Sequence, residues 1–506
     1  MRATTSLWIL GTITCIGVSS LALAASAPPP SADELQKWIA ERAVAVRTID
    51  AADEDFRDLE PLIDAIGSAR VVQLGEPSHG AGSSFAAKVR LIKFLHQRMG
   101  FDVLAWESGL YDVHLTQAAM RAGDDAVAAA QIGILAIWSA DEEVRPLFEY
   151  AKASQATGRP LDMAGFDMQI TAENFSDRFA ADLRSFVRGL PDQALRERAG
   201  ELAEQALAAH QRLFARNEAR RRVEADALRA AQSGKALQQA MAEAMAAYEK
   251  SDASKLVPSK EDIEALDRAV DGLLAMIHEH RASFGQVHGI REITFMERVI
   301  GNLRGNDRNV YERQRPDRPA GAAASALDND VFNRRDSLNA GNLRWLIEDG
   351  YPGRKLIVWA HNVHVMNAYY AADVRSIHVE PQSGGLEPSG VAMAKWLGDK
   401  VYTIAMTSYE GEEGWDTAKP VAPATAGSLE SRLHQLGQPF VFLDFRALDG
   451  NPRHPLRKPQ SMRIDKYRDD TLTDVTRAFD AVFFLDRMAP ATRIRRAQRS
   501  AASLQN

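Results

Sequence analysis

The sequence has 506 residues, 45% of them hydrophobic and 25% charged, the composition of a globular protein large enough to bury a sizeable core. Its net charge of −7 implies no general affinity for nucleic acid or for an anionic membrane surface. The one cysteine, Cys15, lies in an N-terminal segment expected to be removed, so the mature chain has no thiol for a nucleophile, a disulfide or a thiolate metal site.

That segment, residues 1–24, reads as a secretory signal. Arg2 supplies the basic start, Leu7 to Leu23 is largely apolar with small residues, and Ala22-Leu23-Ala24 is a small-x-small cleavage site before Ala25. Ala25-Ser26-Ala27 is a second candidate, but it would leave Pro28 after the cut. An uncleaved anchor or a lipoprotein box at Cys15 are the alternatives. The Pro28-Pro29-Pro30 linker argues against the first, and Thr12-Ile13-Thr14 is a poor lipid-attachment sequence. No later stretch is long and apolar enough to span a bilayer, so a periplasmic or secreted location is expected.

Residues 31–68 read as helical and amphipathic, with Leu35, Trp38 and Ile39 on one stripe. Val71–Glu76 is the first strand. It runs into the turn Glu76-Pro77-Ser78-His79-Gly80 and then a helix with Phe85, Val89 and Ile92 on one face, ending at Gly100. Phe101–Ser108 is the second strand, which completes a right-handed strand–helix–strand unit. Neighbouring parallel strands lie about 4.8 Å apart, so His79 and Glu107 can share one site. Residues 112–157 read as helices, and Leu161–Asp167 as a third strand ending in another carboxylate.

From 174 to about 300 the sequence is rich in Ala, Glu, Arg, Gln and Leu, with Leu202, Ala206, Ala209 and Leu213 at helical spacing and a polar break at Ser251–Lys260. A helical insertion is expected here, as a lid over the site or as a surface appendage. Residues 305–330 read as a mobile loop, and Asn333-Arg334-Arg335-Asp336 opens a helix through Trp345. Lys355–Trp359 is a buried run followed by Ala360-His361-Asn362-Val363-His364, and later strands are expected at Val401–Met406, Phe440–Phe445 and Ala481–Leu485. The fold class is therefore α/β, a mostly parallel sheet flanked by helices with a large helical insertion over the carboxyl edge. The core comprises residues 25–173 and 305–493, the insertion 174–304 and a tail 494–506.

The strand ends deliver Glu76 and His79, Glu107, Asp167, and His361 and His364, and ligands of open parallel sheets bind at that edge. A Glu and a His in such a turn also serve to cap the following helix. Imidazole beside carboxylate is the arrangement a general base requires, able to take a proton from water attacking an ester. There is no Gly-x-Ser-x-Gly elbow and no phosphate- or dinucleotide-binding glycine motif. Ser78 adjoins His79, but adjacent turn residues seldom point at one another. His79, Glu107 and His361 also suit Zn²⁺ or another divalent ion, and spacing alone leaves that reading open.

Leu74-Gly75-Glu76-Pro77-Ser78-His79-Gly80, Lys88, Arg90-Leu91-Ile92-Lys93-Phe94-Leu95, Trp106-Glu107 and Trp359-Ala360-His361-Asn362-Val363-His364 together resemble the erythromycin esterase family. Arg335-Asp336, Asn342-x-x-Trp345 and Phe479-Asp480-Ala481-Val482 extend the resemblance over roughly residues 45–490. It implies a hydrolase that opens an ester or macrolactone of a small molecule with histidine-activated water in a cleft between core and insertion; no cofactor is expected, with a divalent metal as the alternative, and the second reading is a periplasmic metal- or ligand-binding protein, or a metal-dependent hydrolase, on the same site. His79 is then the general base, Glu76 and Glu107 orient it or the water, and His361 completes the catalytic set. His364, Lys88, Asp167 and Arg335 are the implied substrate-binding residues. The chain departs from the family in having Asn339-Ala340-Gly341-Asn342 where relatives often carry Met-Ala-Glu-Asn, and in its secretory signal.

Overall fold

The computed structural model describes residues 32–232, 237–368, 385–415, 417–448, 454–467 and 472–494. The expected signal peptide, and the tail beyond residue 494, lie outside the described residues. In chain order the strands are β1 Val44–Ala45, β2 Val71–Leu74, β3 Phe101–Gly109, β4 Asp162–Asp167, β5 Lys355–Trp359, β6 Val401–Gly414, β7 Ala418–Val421, β8 Phe440–Asp444, β9 Gln460–Ser461, β10 Leu472–Thr473 and β11 Ala481–Met488. Nine of them form one sheet in the order β1-β8-β11-β6-β2-β5-β3-β4, with β7 on β6, and β9 and β10 form a separate pair. The run from β11 to β4 is parallel throughout, while β8, β1 and β7 pair antiparallel.

The inner strands are buried on both faces, which is why β2, apart from the buried Gln73, and β5 after Lys355 appear in sequence as apolar runs rather than alternations. Alternate residues feed two cores. Val71, Val103, Ala105, Leu356 and Val358 pack with Leu183, Ala199, Leu266 and Leu273 of the insertion. Val72, Leu104, Trp106, Ile357 and Trp359 pack with Phe85, Ile92 and Leu95 of the helix Gly82–Met99. That helix stops at Gly100, whose φ of +75° suits glycine and whose N–H caps the Leu95 carbonyl. Since the insertion's apolar face is one core with the sheet, it is integral to the fold and no appendage. Each fully buried Leu, Val or Ile at this seam contributes about 1.5–3 kcal/mol.

The structure corrects three expectations. β5 lies between β2 and β3, so Leu74 pairs with Trp359 and Trp359 with Trp106. His361 is thereby the immediate neighbour of the His79 turn, and Glu107 is one strand further away. Residues 305–330 are mostly helical, in the helices Ile290–Gln314 and Ala322–Trp345, and only the stretch 315–321, with two prolines and Gly321 at φ +62°, interrupts them. They bury several polar residues beside their apolar ones, Asn302, Asn306, Asp307 and Asn309 on one and Asp336, Asn339 and Asn342 on the other, which dilutes the apolar period over residues 305–330. Residues 31–68 form a helix only over Ala32–Arg42 and, briefly, Pro61–Ile66, with β1 between. No helix among the described residues is long and apolar enough to cross a membrane.

Candidate active site

The turn after β2 is tied to its neighbours by backbone bonds: Gly75 N–H donates to Ile404 O at 2.9 Å, and Asn362 N–H to Glu76 O at 2.9 Å. A Cβ on Gly75 would stand 2.1 Å from Asn362 Oδ1, so only glycine lets the two strand ends approach. The Asn362 amide itself bridges β5 to Met406 O at 2.9 Å and Ile464 O at 3.0 Å.

Glu76 is fully buried in this frame. Its Oε1 accepts His79 Nδ1–H at 3.0 Å and Trp138 Nε1–H at 2.9 Å. Its Oε2 accepts from Lys88 Nζ, which reaches back from the following helix, also donates to Ala360 O at 3.1 Å and lies 4.4 Å from the Trp359 ring centre. Burial alone would push the Glu76 carboxyl up, but Lys88 and the His79 hydrogen bond hold it below its ordinary value, so it is ionised. An ionised acceptor on Nδ1 puts the imidazole proton there and leaves Nε2 as the lone-pair nitrogen. Among the described residues Nε2 has no hydrogen-bond partner, and the His79 side chain, 38% exposed, faces a cavity of about 680 Å³.

The second half of the site comes from β3, β4, β5 and the helix Ala322–Trp345. A register shift in the β3–β4 ladder between Trp106 and Gly109 marks the position of Glu107. Glu107 Oε2 accepts His361 N–H at 2.9 Å, and Oε1 accepts Arg335 Nη2–H at 2.7 Å. Arg335 also grips Asp167 through Nη2 at 2.5 Å and Nε at 3.2 Å. Burial opposes the charge on Glu107, but His364, Arg335 and His79 hold its carboxyl well below the usual carboxylate range. His364 donates Nδ1–H to Asp336 at 2.9 Å, while its Nε2 lies 3.0 Å from Arg335 Nη1 and 3.3 Å from Glu107 Oε1. Burial lowers its pKa, yet Asp336 and Glu107 outweigh burial and raise it above the ordinary histidine value.

His361 is engaged at both nitrogens. It caps the short helix Asn362–Val365 by accepting Val363 N–H on Nδ1 at 3.2 Å, so Nε2 carries the proton and donates to Pro77 O at 3.1 Å. Lys466 N–H donates to the same carbonyl at 2.7 Å, and the turn is held from two sides. The His361 and His79 rings stand 5.3 Å apart.

The cavity is lined by Ser78, His79, His361, His364, Trp415 and Asp465, among others. Of the residues implied to bind substrate, only His364 reaches its wall. Lys88 lies beneath Glu76, and Asp167 and Arg335 lie behind His364 and Glu107, where each neutralises a buried charge. The donor set does not fit a divalent metal on His79, Glu107 and His361, because Glu107 and His361 direct their lone pairs at protein N–H groups. Among the described residues no group of three such side chains is arranged to hold a metal ion. Trp138, Asp336 and Asp465 escaped the sequence reading. Trp138 gives no spacing signal, and Asp336 was visible only as the second half of Arg335-Asp336.

Fold and site together define an α/β protein with a histidine–carboxylate pair at the carboxyl edge of a parallel sheet. The chain belongs to the erythromycin esterase family of hydrolases: residues 96–488 match the family model described as erythromycin esterase. It is 26% identical to YbfO of Bacillus subtilis (strain 168) over 86% of both chains. A solved structure of a Bacillus cereus protein superposes with a TM-score of 0.67 at 18% identity, covering 92% of this chain and 99% of that one. The open conformation of a mutant of erythromycin esterase EreC superposes with a TM-score of 0.55 at 14% identity, covering 88% and 98%.

Proposed function

We propose that the chain hydrolyses a carboxylic ester or lactone of a small molecule, with water as nucleophile and His79 as its general base. One observation carries this reading: Glu76 holds the Nδ1 proton of His79 at 3.0 Å while Nε2 stands open to the cavity. A water on Nε2 gives up its proton as its oxygen attacks the acyl carbon, and the imidazolium so formed is stabilised by the ionised Glu76 beside it. The same imidazolium then returns the proton to the departing alkoxide. His364, whose pKa Asp336 and Glu107 raise, lines the same cavity as His79, where negative charge develops on the acyl oxygen. Ser78 lines the cavity but is unsuited as a nucleophile because, among the described residues, its Oγ has no hydrogen bond to a base; it accepts the Gly80 N–H at 3.3 Å. With the N-terminal signal, substrate is met in the periplasm or outside the cell, and macrolactones are one group within the proposed class.

Acid release from a panel of carboxylic esters and macrolactones, followed by pH-stat before and after treatment with chelator, tests the reading. Release that survives the chelator is the expected result. Inactivity on every ester and lactone, or loss with chelator and return with Zn²⁺, would overturn it.

A further inference from the structure

A second cavity, of about 820 Å³, opens between the insertion and the turn that carries Trp138. It falls within the usual size of small-molecule sites, roughly 300–1,000 Å³. One side is apolar, formed by Ile134, Ile137, Ile170 and Phe214, and the other carries side-chain amides and charged groups in equal number. It adjoins the histidine cavity: Ala136, in its wall, accepts a 2.6 Å hydrogen bond from Arg493, which lines the other.

The charges around it are almost all matched. Arg220 pairs with Glu224 at 2.8 Å and Arg222 with Glu218 at 2.8 Å, and Asp177 lies in the field of Arg222. Arg313 is the exception. Among the described residues it has no carboxylate within ion-pair distance and no hydrogen-bond partner. The acid nearest to it in effect, Asp328, is already taken by Arg318 at 2.7 Å, and its other charged neighbours are the cations Arg335 and Arg318. Burial pulls the Arg313 guanidinium below its ordinary pKa, and Arg335 adds to the effect. The amides beside it are half-used. Gln314 donates to Asn217 Oδ1 at 2.7 Å, which leaves the Asn217 amide N–H groups without a partner among the described residues, and Gln314 Oε1 is buried with none. Gln169 adds a third amide to the wall, with no side-chain partner among the described residues.

An unmatched guanidinium on the wall of a cleft is a fork of donors shaped for a carboxylate. Amides with spare donors and acceptors are what hydroxyl groups need. We propose that this cavity binds a hydroxylated small-molecule acid, its carboxylate paired with Arg313 and its hydroxyls with Asn217, Gln314 and Gln169. The site is separate from the His79 cavity and does not depend on hydrolysis there.

Titration calorimetry with D-glucuronate, and with D-glucose as its uncharged counterpart, tests this on the full chain. Wild type should bind glucuronate at least about tenfold more tightly than glucose, since a charge-assisted pair to arginine is among the stronger hydrogen-bonded contacts. Arg313→Gln should lose at least tenfold in glucuronate affinity with no fall in thermal unfolding midpoint, because no ion pair is removed. Arg313→Lys should fall between, keeping the charge without the fork. Glucuronate binding that is absent in wild type, matched by glucose, or unchanged in Arg313→Gln would overturn the proposal.

Discussion

His79→Ala is expected to remove hydrolysis while leaving the fold in place. The ring is 38% exposed, and Glu76 Oε1 keeps its bond from Trp138 when the imidazole is gone, so no buried carboxylate oxygen is orphaned. What is lost is the only described group with a basic nitrogen turned towards the cavity from a fixed tautomer. General-base catalysis contributes typically about 10²–10⁴-fold in rate, and a loss of that order should appear in kcat, with thermal unfolding close to wild type. Ser78→Ala should be mild in the same assay. If it proved as damaging as His79→Ala, or an acyl group were trapped on Ser78, water would not be the nucleophile.

Lys88→Met should be the most destabilising of the changes considered. Methionine nearly fills the lysine's space, so the effect is electrostatic. Lys88 and Glu76 are both fully buried, and deleting one partner of such a pair costs about 3–5 kcal/mol because the other charge is stranded. Activity should fall as well. Without Lys88, burial pushes the Glu76 carboxyl up with only His79 and Trp138 to oppose it. A protonated Glu76 no longer draws the Nδ1 proton, and the His79 tautomer is released. The sign follows: a carboxyl with a raised pKa ionises as pH rises, so residual hydrolysis in Lys88→Met should recover towards alkaline pH relative to wild type. Urea unfolding together with a pH–rate profile checks both parts; wild-type stability with a wild-type profile would show that Lys88 does not support Glu76.

The parts of this site that were legible in the sequence are those that a doubly buried parallel strand writes locally. Leu356–Trp359 is an apolar run and Val71–Leu74 one interrupted by the buried Gln73, and the polar residues that follow them must lie at the carboxyl edge. The order of the strands was not legible. β5 enters between β2 and β3 from some 280 residues away, and nothing in either strand's pattern names its neighbour. Long-range polar partners were equally silent: Trp138 reaches Glu76 across 62 residues, and Asp336 reaches His364 across 28. Over residues 305–330 the helices Ile290–Gln314 and Ala322–Trp345 were obscured for a different reason. There they bury Asn306, Asp307, Asn309 and Asn329 among few apolar residues, so a search for apolar periodicity passes over them. Lys88 was legible as a basic residue near the site, but its direction, down into Glu76 and away from the cavity, is set by the helix Gly82–Met99 packing on the sheet.

The tautomer of His79 can be read directly. Long-range proton–nitrogen correlation spectra of ¹⁵N-histidine-labelled protein, recorded at a pH where the imidazole is neutral, distinguish a protonated ring nitrogen from one bearing a lone pair. The His79 signals among the 12 histidines are assigned by their disappearance in His79→Asn. A proton on Nδ1 and a bare Nε2 is the expected spectrum, shifting to mixed tautomers in Glu76→Gln. A proton on Nε2 in the wild type would leave His79 with no lone pair facing the cavity and would contradict its role as the base.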